Sequence, residues 1–267
     1  MTILDEIIAY KRNEIAEKEA THPIKLLEKS IYFNSDCVSL KKYIQREDKS
    51  GIIAEFKRKS PSKGIINGYA NIEKITIGYM QAGASALSVL TDHHFFGGSN
   101  EDLTIARKFN YCPILRKDFT VSEYQIIEAK SIGADAILLI AAILTNEEVK
   151  LFTNLAHQLG LEVLLEIHDE EELEKYDSEI SLVGINNRNL KTFDVDFDNS
   201  IRLAQQLPNN TVKIAESGIH NPNDIIKLRQ HGFEGFLIGE SFMRTADPEL
   251  ACKKFINQIK SIKDVTA

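Results

Sequence analysis

The chain has 267 residues, 43% hydrophobic and 27% charged, with a formal net charge of -7, proportions that predict an ordinary soluble globular protein of one large or two small domains. The acidic balance, pI near 5.6, argues against a broad nucleic-acid face, which would be basic, and leaves room only for a local basic pocket. The longest apolar run, 136–144, is nine residues, far short of the ~20 that span a bilayer, so no membrane segment is expected.

The N-terminal MTILDEIIAYKRNE places acids where a signal peptide would be apolar, which predicts mature sequence and a cytoplasmic location. Leu4, Ile7, Ile8 and Ile15 fall near helical spacing among Lys, Arg and Glu, so an amphipathic helix is expected over 3–20. Pro23 interrupts it, and a second short helix is expected over 24–29. Residues 1–50 thus read as a helical extension, ahead of a different pattern over 51–267. From Gly51 short apolar runs alternate with helical segments. The runs are GIIAEF (51–56), ALSVL (86–90), CPILR (112–116), AILLI (136–140), EVLLE (162–166), LVGIN (182–186), VKIAE (212–216) and GFLIG (235–239). Helical patterns at 122–132, 147–159 and 222–231 lie between them, and QAGAS, SIGAD, QLGLE and QHGFE each place Gly where a helix gives way to a strand. Asn221-Pro222 supplies a cap and a first-turn proline. Eight strand–helix units fit one (β/α)8 barrel. The rival, a doubly wound sheet, declares itself with a GxGxxG turn after its first strand, and none is present.

In a barrel the C-terminal strand ends carry the site. The first run ends in Glu55 and Lys57, whose spacing of two sends both side chains to one face. Lys117 and Asp118 follow the third run, Glu166 ends the fifth, Asn186 ends the sixth with Arg188 just beyond it, and Glu216 ends the seventh. Charges on a core strand make sense at the rim of a pocket, where opposite charges from neighbouring strands satisfy one another. A purely structural ring of ion pairs is the alternative. Ser217-Gly218 after the seventh run and Gly239-Glu240-Ser241 after the eighth are small-residue loops where backbone N–H groups can approach a phosphate, helped by the helix start at Asn221. Glu240 is tolerable there only if its side chain points away. His168 reads as part of a loop before an acidic helix start. His93 and His94 precede Phe95-Phe96-Gly97-Gly98, whose aromatics line a ligand or merely pack. No HxH or HExxH spacing suggests a metal, and Cys37, Cys112 and Cys252 suggest neither a disulfide framework nor a zinc site.

IAEFKRKSPSKG, LTDHHFFGGS, ILRKDF, LLEIHDEEEL, VGINNRNLKTF, AESGI and LIGESFM occur in this order. Together they resemble the motifs of the indole-3-glycerol phosphate synthase family. ILDEIIAYKRNEIAEKEA is similar to that family's helical extension over the barrel mouth, and the likeness covers nearly the whole chain. The resemblance implies a (β/α)8 carboxy-lyase of tryptophan biosynthesis, without cofactor or metal. It would convert 1-(2-carboxyphenylamino)-1-deoxyribulose 5-phosphate to indole-3-glycerol phosphate, carbon dioxide and water. By the same resemblance Lys117 is the general acid of ring closure, provided burial and neighbouring charge bring its pKa toward operating pH. Glu166 is the acid/base of the dehydration. Lys57 meets a substrate anion and shares in proton transfer, Glu55 orients the lysines, and Asn186 sits near the reacting hydroxyls. Glu216 matches the family's acid after the seventh strand. Arg188, Ser217, Gly218, Gly239 and Glu240 match substrate and phosphate contacts, and Phe96 and Phe119 the aromatics around the anthranilate ring. Asn67 and Asn189 depart from the usual pattern without touching a catalytic role. The partners implied are a phosphorylated small molecule, no nucleic acid and no membrane, and association with other enzymes of the pathway is compatible with the reading. The segments 59–66 and 93–100 are candidates for closing over substrate. Phosphoribosylanthranilate isomerase is a rival, although it typically uses a Cys and Asp pair. A non-catalytic barrel scaffold of the same pathway is another.

Overall fold

The computed structural model describes residues 3–188 and 194–266, the side chains of 263–266 excepted. Eight parallel strands close a barrel: β1 (Ile52–Phe56), β2 (Ala86–Leu90), β3 (Ile114–Lys117), β4 (Ala136–Ile140), β5 (Glu162–Ile167), β6 (Leu182–Asn186), β7 (Val212–Glu216) and β8 (Phe233–Ile238). Each strand pairs with its sequence neighbours, and β8 pairs with β1. The doubly wound alternative is thereby removed, because a closed sheet leaves no edge and no switch point.

The strands form where the apolar runs predict them, since side chains alternate between two buried faces. Ile53, Leu115, Leu138, Leu164, Leu182, Ile214 and Leu237 pack inside the barrel, while Ile52, Ala54, Phe56, Val163 and Leu165 pack outward against the helices. The period of two then has a chemical consequence. Two positions beyond an inward apolar residue, at the C-terminal end, stand Glu55, Lys117, Glu166 and Glu216.

Around the barrel run α4 (Ile72–Gln81), α5 (Asn100–Phe109), α6 (Glu123–Ser131), α7 (Asn146–Gln158), α8 (Phe197–Ala204), α9 (Pro222–Gln230), the single turn α10 (Glu240–Met243) and α11 (Pro248–Thr266). The starts of α4 to α9 are capped by Asn71, Ser99, Ser122, Thr145, Asp196 and Asn221, each side chain accepting a first-turn N–H. The glycines that punctuate the helix ends, Gly83, Gly133, Gly160 and Gly232, all take positive φ. A short antiparallel ribbon pairs Lys59–Ser60 with Gly64–Ile65 after β1.

The N-terminal segment contributes α1 (Ile3–Thr21), α2 (Ile24–Leu27) and α3 (Leu40–Ile44). Helix α1 reaches the barrel mouth, where Ile3, Leu4 and Ile7 line the pocket. Helix α3 does something different: Leu40 and Ile44 are 0% and 4% exposed and join the interior cluster with Ile53, Leu182, Val212 and Ile214. These are the N-terminal ends of the strands, so the extension expected at the mouth also plugs the base. Ser39 caps α3 and donates its hydroxyl to Glu162, and Val38 N donates to Asp135, tying the plug to β5 and to the residue before β4. None of the described helices is long and apolar enough to cross a membrane.

Candidate active site

A cavity of about 240 Å³ opens at the C-terminal ends of the strands. Its walls include every side chain singled out from the sequence as catalytic: Glu55, Lys57, Lys117, Glu166, Asn186 and Glu216. At its centre the Lys117 Nζ lies 2.9 Å from Glu166 Oε2 and 2.5 Å from Glu216 Oε2. Strand β3 delivers the ammonium, and β5 and β7 deliver the carboxylates from across the barrel. Asn186 Nδ2 donates to Glu166 Oε1 at 3.0 Å, and Asn186 sits beside Glu216 in the β6–β7 register. Lys57 pairs with Glu55 at 2.6 Å; Glu55 acts on Lys117 only through space.

The electrostatics follow from burial and from one ammonium between two acids. Burial opposes the charge on Lys117, yet Glu166, Glu216 and Glu55 outweigh it and hold its pKa above the ordinary lysine value. The expectation that the surroundings bring Lys117 toward neutrality is therefore not met: it is a firmly protonated acid. Burial would also raise Glu166, but Lys117 and His168 prevail and hold its carboxyl well below the usual range. Glu216 goes the other way. Burial, with repulsion from Glu166 and Glu55 against the pull of Lys117, pushes it up to about 7. Two like carboxylates around one cation thus divide into an ionised base and a partly protonated neighbour.

The chain belongs to the indole-3-glycerol phosphate synthase family. Residues 4–255 match the family model described as indole-3-glycerol phosphate synthase. The chain is 51% identical over 258 residues to the indole-3-glycerol phosphate synthase of Bacteroides thetaiotaomicron, covering 97% of this chain and 99% of the relative. It is 41% identical over 263 residues to that of Acinetobacter baumannii, covering 98% of each. Among solved structures, a tryptophan synthase alpha chain from Legionella pneumophila superposes with a TM-score of 0.62 at 12% identity, covering 84% of this chain and 97% of that one. A tryptophan synthase complex from Pyrococcus furiosus matches at 0.59 and 14%, covering 80% and 99%. At such identities these structures speak for the fold alone.

In this synthase-family pocket the remaining sequence candidates fall as follows. Arg188, Ser217, Gly218, Gly239 and Glu240 line one side, and Phe96 and Phe119 line another with ring centroids 5.8 Å apart. Ser217 and Gly218 both take positive φ, 66° and 72°, the kind of turn in which successive N–H groups can form an anion-binding concavity. Helix α9, expected to lend its N-terminus to a phosphate, has spent it: Asn221 and Asp224 form a reciprocal capping box there, and Asp224 also accepts from His220 N. The start of α10 differs, since its cap Gly239 has no side chain. Glu240 does not point clear of the site; its carboxylate lies 3.9 Å from the Arg188 guanidinium. Asn189 lies outside the described residues.

Two contributors escape the sequence reading. Ser60, Pro61 and Ser62 of the ribbon line the cavity, inside the 59–66 segment expected only to close over substrate. Ile3, Leu4 and Ile7 of α1 line it as well, in keeping with the expected helical extension over the barrel mouth. The sequence places His168 in a loop. Its Nε2 lies 3.2 Å from Glu166 Oε1, off the line of a hydrogen bond, and its Nδ1 lies 3.2 Å from Glu172 Oε2. Burial alone would lower its pKa, but Glu166 and Glu172 push it up to about 10. Only the spacing of two from Glu166 hinted at this, and that spacing is an ordinary one on a strand.

Proposed function

We propose that this pocket closes the indole ring of 1-(2-carboxyphenylamino)-1-deoxyribulose 5-phosphate, with Lys117 as general acid. The observation that carries the assignment is the Lys117 ammonium held between Glu166 and Glu216 at the cavity's centre. The ring carbon bearing the carboxylate attacks the ribulose C2′ carbonyl. The carbonyl π pair moves to oxygen, which takes a proton from Lys117. The carboxylate leaves as carbon dioxide, and its bonding pair restores the aromatic ring. That step needs mainly that ring and C2′ stay in place, which Phe96 and Phe119 provide. In the dehydration the C2′ hydroxyl departs as water on receiving a proton, C1′ gives one up to Glu166, and the new double bond completes the indole. Lys57, paired with Glu55, is a second ammonium available to the departing hydroxyl, and Asn186 holds Glu166 and meets the ribulose hydroxyls.

Arg188, the left-handed Ser217-Gly218 turn, Gly239 and the backbone at Glu240 receive the phosphate, Arg188 exchanging its long contact with Glu240 for the ligand. Binding at this remote end positions the reacting end. Among the described residues no cysteine lines the cavity, which disfavours the isomerase reading with its Cys and Asp pair. We place the enzyme in the cytoplasm, working without cofactor. Association with other enzymes of tryptophan biosynthesis rests on the family resemblance alone.

The chain contains no tryptophan, so indole fluorescence that grows on adding the substrate reports product. Wild type should give that signal. Lys117→Ala, folded by circular dichroism, should lose roughly 10²–10⁴-fold in kcat, the range for a positioned acid. Near-normal turnover by Lys117→Ala would remove Lys117 from the role, and a silent wild type would remove the reaction.

A further inference from the structure

Helix α1 lies outside the barrel, yet its most buried side chain is a lysine. Lys11 is 0% exposed, with its Nζ 2.7 Å from Asp92 Oδ2, 3.1 Å from Asp118 Oδ1 and 2.8 Å from Glu14 Oε2. A buried ion cluster is a poor stability device, because well-packed apolar residues of similar volume often serve as well or better. What the two aspartates hold points to a different use. Asp92 Oδ1 accepts from Phe95 N at 2.8 Å and Phe96 N at 3.1 Å. Asp118 Oδ1 accepts from Phe119 N at 2.8 Å, and its Oδ2 accepts from Thr91 Oγ1 at 2.6 Å. One aspartate therefore fixes the loop carrying Phe96 after β2, and the other fixes Phe119 just beyond β3. The same helix lays Ile7, one turn earlier, against the cavity those rings line, and Tyr10 stacks on His94 of the first loop at 4.3 Å.

We propose that Lys11 is a positioning residue for the aromatic end of the substrate: its ammonium draws Asp92 and Asp118 together and so sets the gap between Phe96 and Phe119. The inference rests on the ring-closing reading of the pocket. It adds that a helix outside the barrel governs how the anthranilate ring is held. Lys11 touches no reacting atom, so its loss weakens ground-state and transition-state binding alike and appears in KM before kcat.

The test is Lys11→Met, assayed by indole fluorescence, with hydrogen exchange read in parallel at the amides of Phe95, Phe96 and Phe119. KM should rise roughly tenfold while kcat stays within about threefold. Exchange at the three amides should quicken by about tenfold or more, with amides of α9 unchanged. A folded Lys11→Met with wild-type KM overturns the proposal, whatever its exchange. Should that variant fail to fold, Lys11→Met/Asp92→Asn removes the stranded charge while leaving an oxygen for the Phe95 and Phe96 amides. A raised KM in the double variant supports the proposal, and a wild-type KM reduces Lys11 to a tether. A wild type that makes no indole would instead refute the ring-closing reading, and amide exchange would still report whether Lys11 holds both loops.

Discussion

On β6 and just beyond β8, Gly184 and Gly239 face Glu216 and Glu55, and a Cβ built at either position would collide with the opposing carboxylate oxygen. Gly184 is thus what lets a buried glutamate reach Lys117. Gly184→Ala should displace the Glu216 carboxylate and lower kcat/KM by roughly a hundredfold through misplaced proton-transfer groups, measurable in the fluorescence assay; unchanged kinetics would mean that the pocket gives way freely. His168 makes a second prediction at this scale. Its ordinary pKa is 6.5, and Glu166 and Glu172 hold it near 10 in the folded chain against the opposing effect of burial. Above pH 6.5 the unfolded state loses this proton while the folded state keeps it, so stability declines as pH rises. The contribution is complete below pH 6.5 and is lost by about pH 10. Urea midpoints across that window should fall more steeply for wild type than for His168→Gln, and parallel slopes would count against the bridge. Glu55, Lys117, Glu166 and Glu216 were legible because charges on a buried strand violate an elementary rule. His168 was not, since it follows the strand's last residue, where a polar side chain violates nothing.

Among elements, the eight strands and their helices were legible because apolar alternation, caps and glycine stops act over a few residues of chain. The base plug α3 was not. Its five residues, LKKYI, are too few for a helical period to emerge, and Leu40 and Ile44 gain their meaning only from the barrel they enter. Leu40→Ala should cost about 2–5 kcal/mol, as deletion of a buried leucine side chain does, seen by urea denaturation. KM should be unchanged, because the plug lies at the end opposite the cavity. A shift in KM would show that base and mouth are coupled. Helix α9 teaches the complementary lesson. Asn221-Pro222 correctly predicted a capped start, but a start capped by Asn221 and Asp224 has little N–H left for a phosphate.

For the whole molecule, the sequence by itself determined the number of strand–helix units, their order, and which side chains gather at one end. Each of these follows from period and punctuation within a short window, and a parallel sheet with helices on its outer face needs a near-continuous apolar strand. It also carried enough linked motifs to indicate the family. Tertiary structure alone decided who meets whom. Lys117 finds Glu166 and Glu216 across separations of 49 and 99 positions, and the two acids part in pKa because His168 favours the charge on Glu166 while Glu166 and Glu55 oppose the charge on Glu216. Lys11 reaches Asp92 and Asp118 only once the first helix has docked on the closed barrel, and α3 finds its pocket only where eight strand ends converge. Ion pairing and packing depend on distance in space, and barrel closure is what converts separation along the chain into contact.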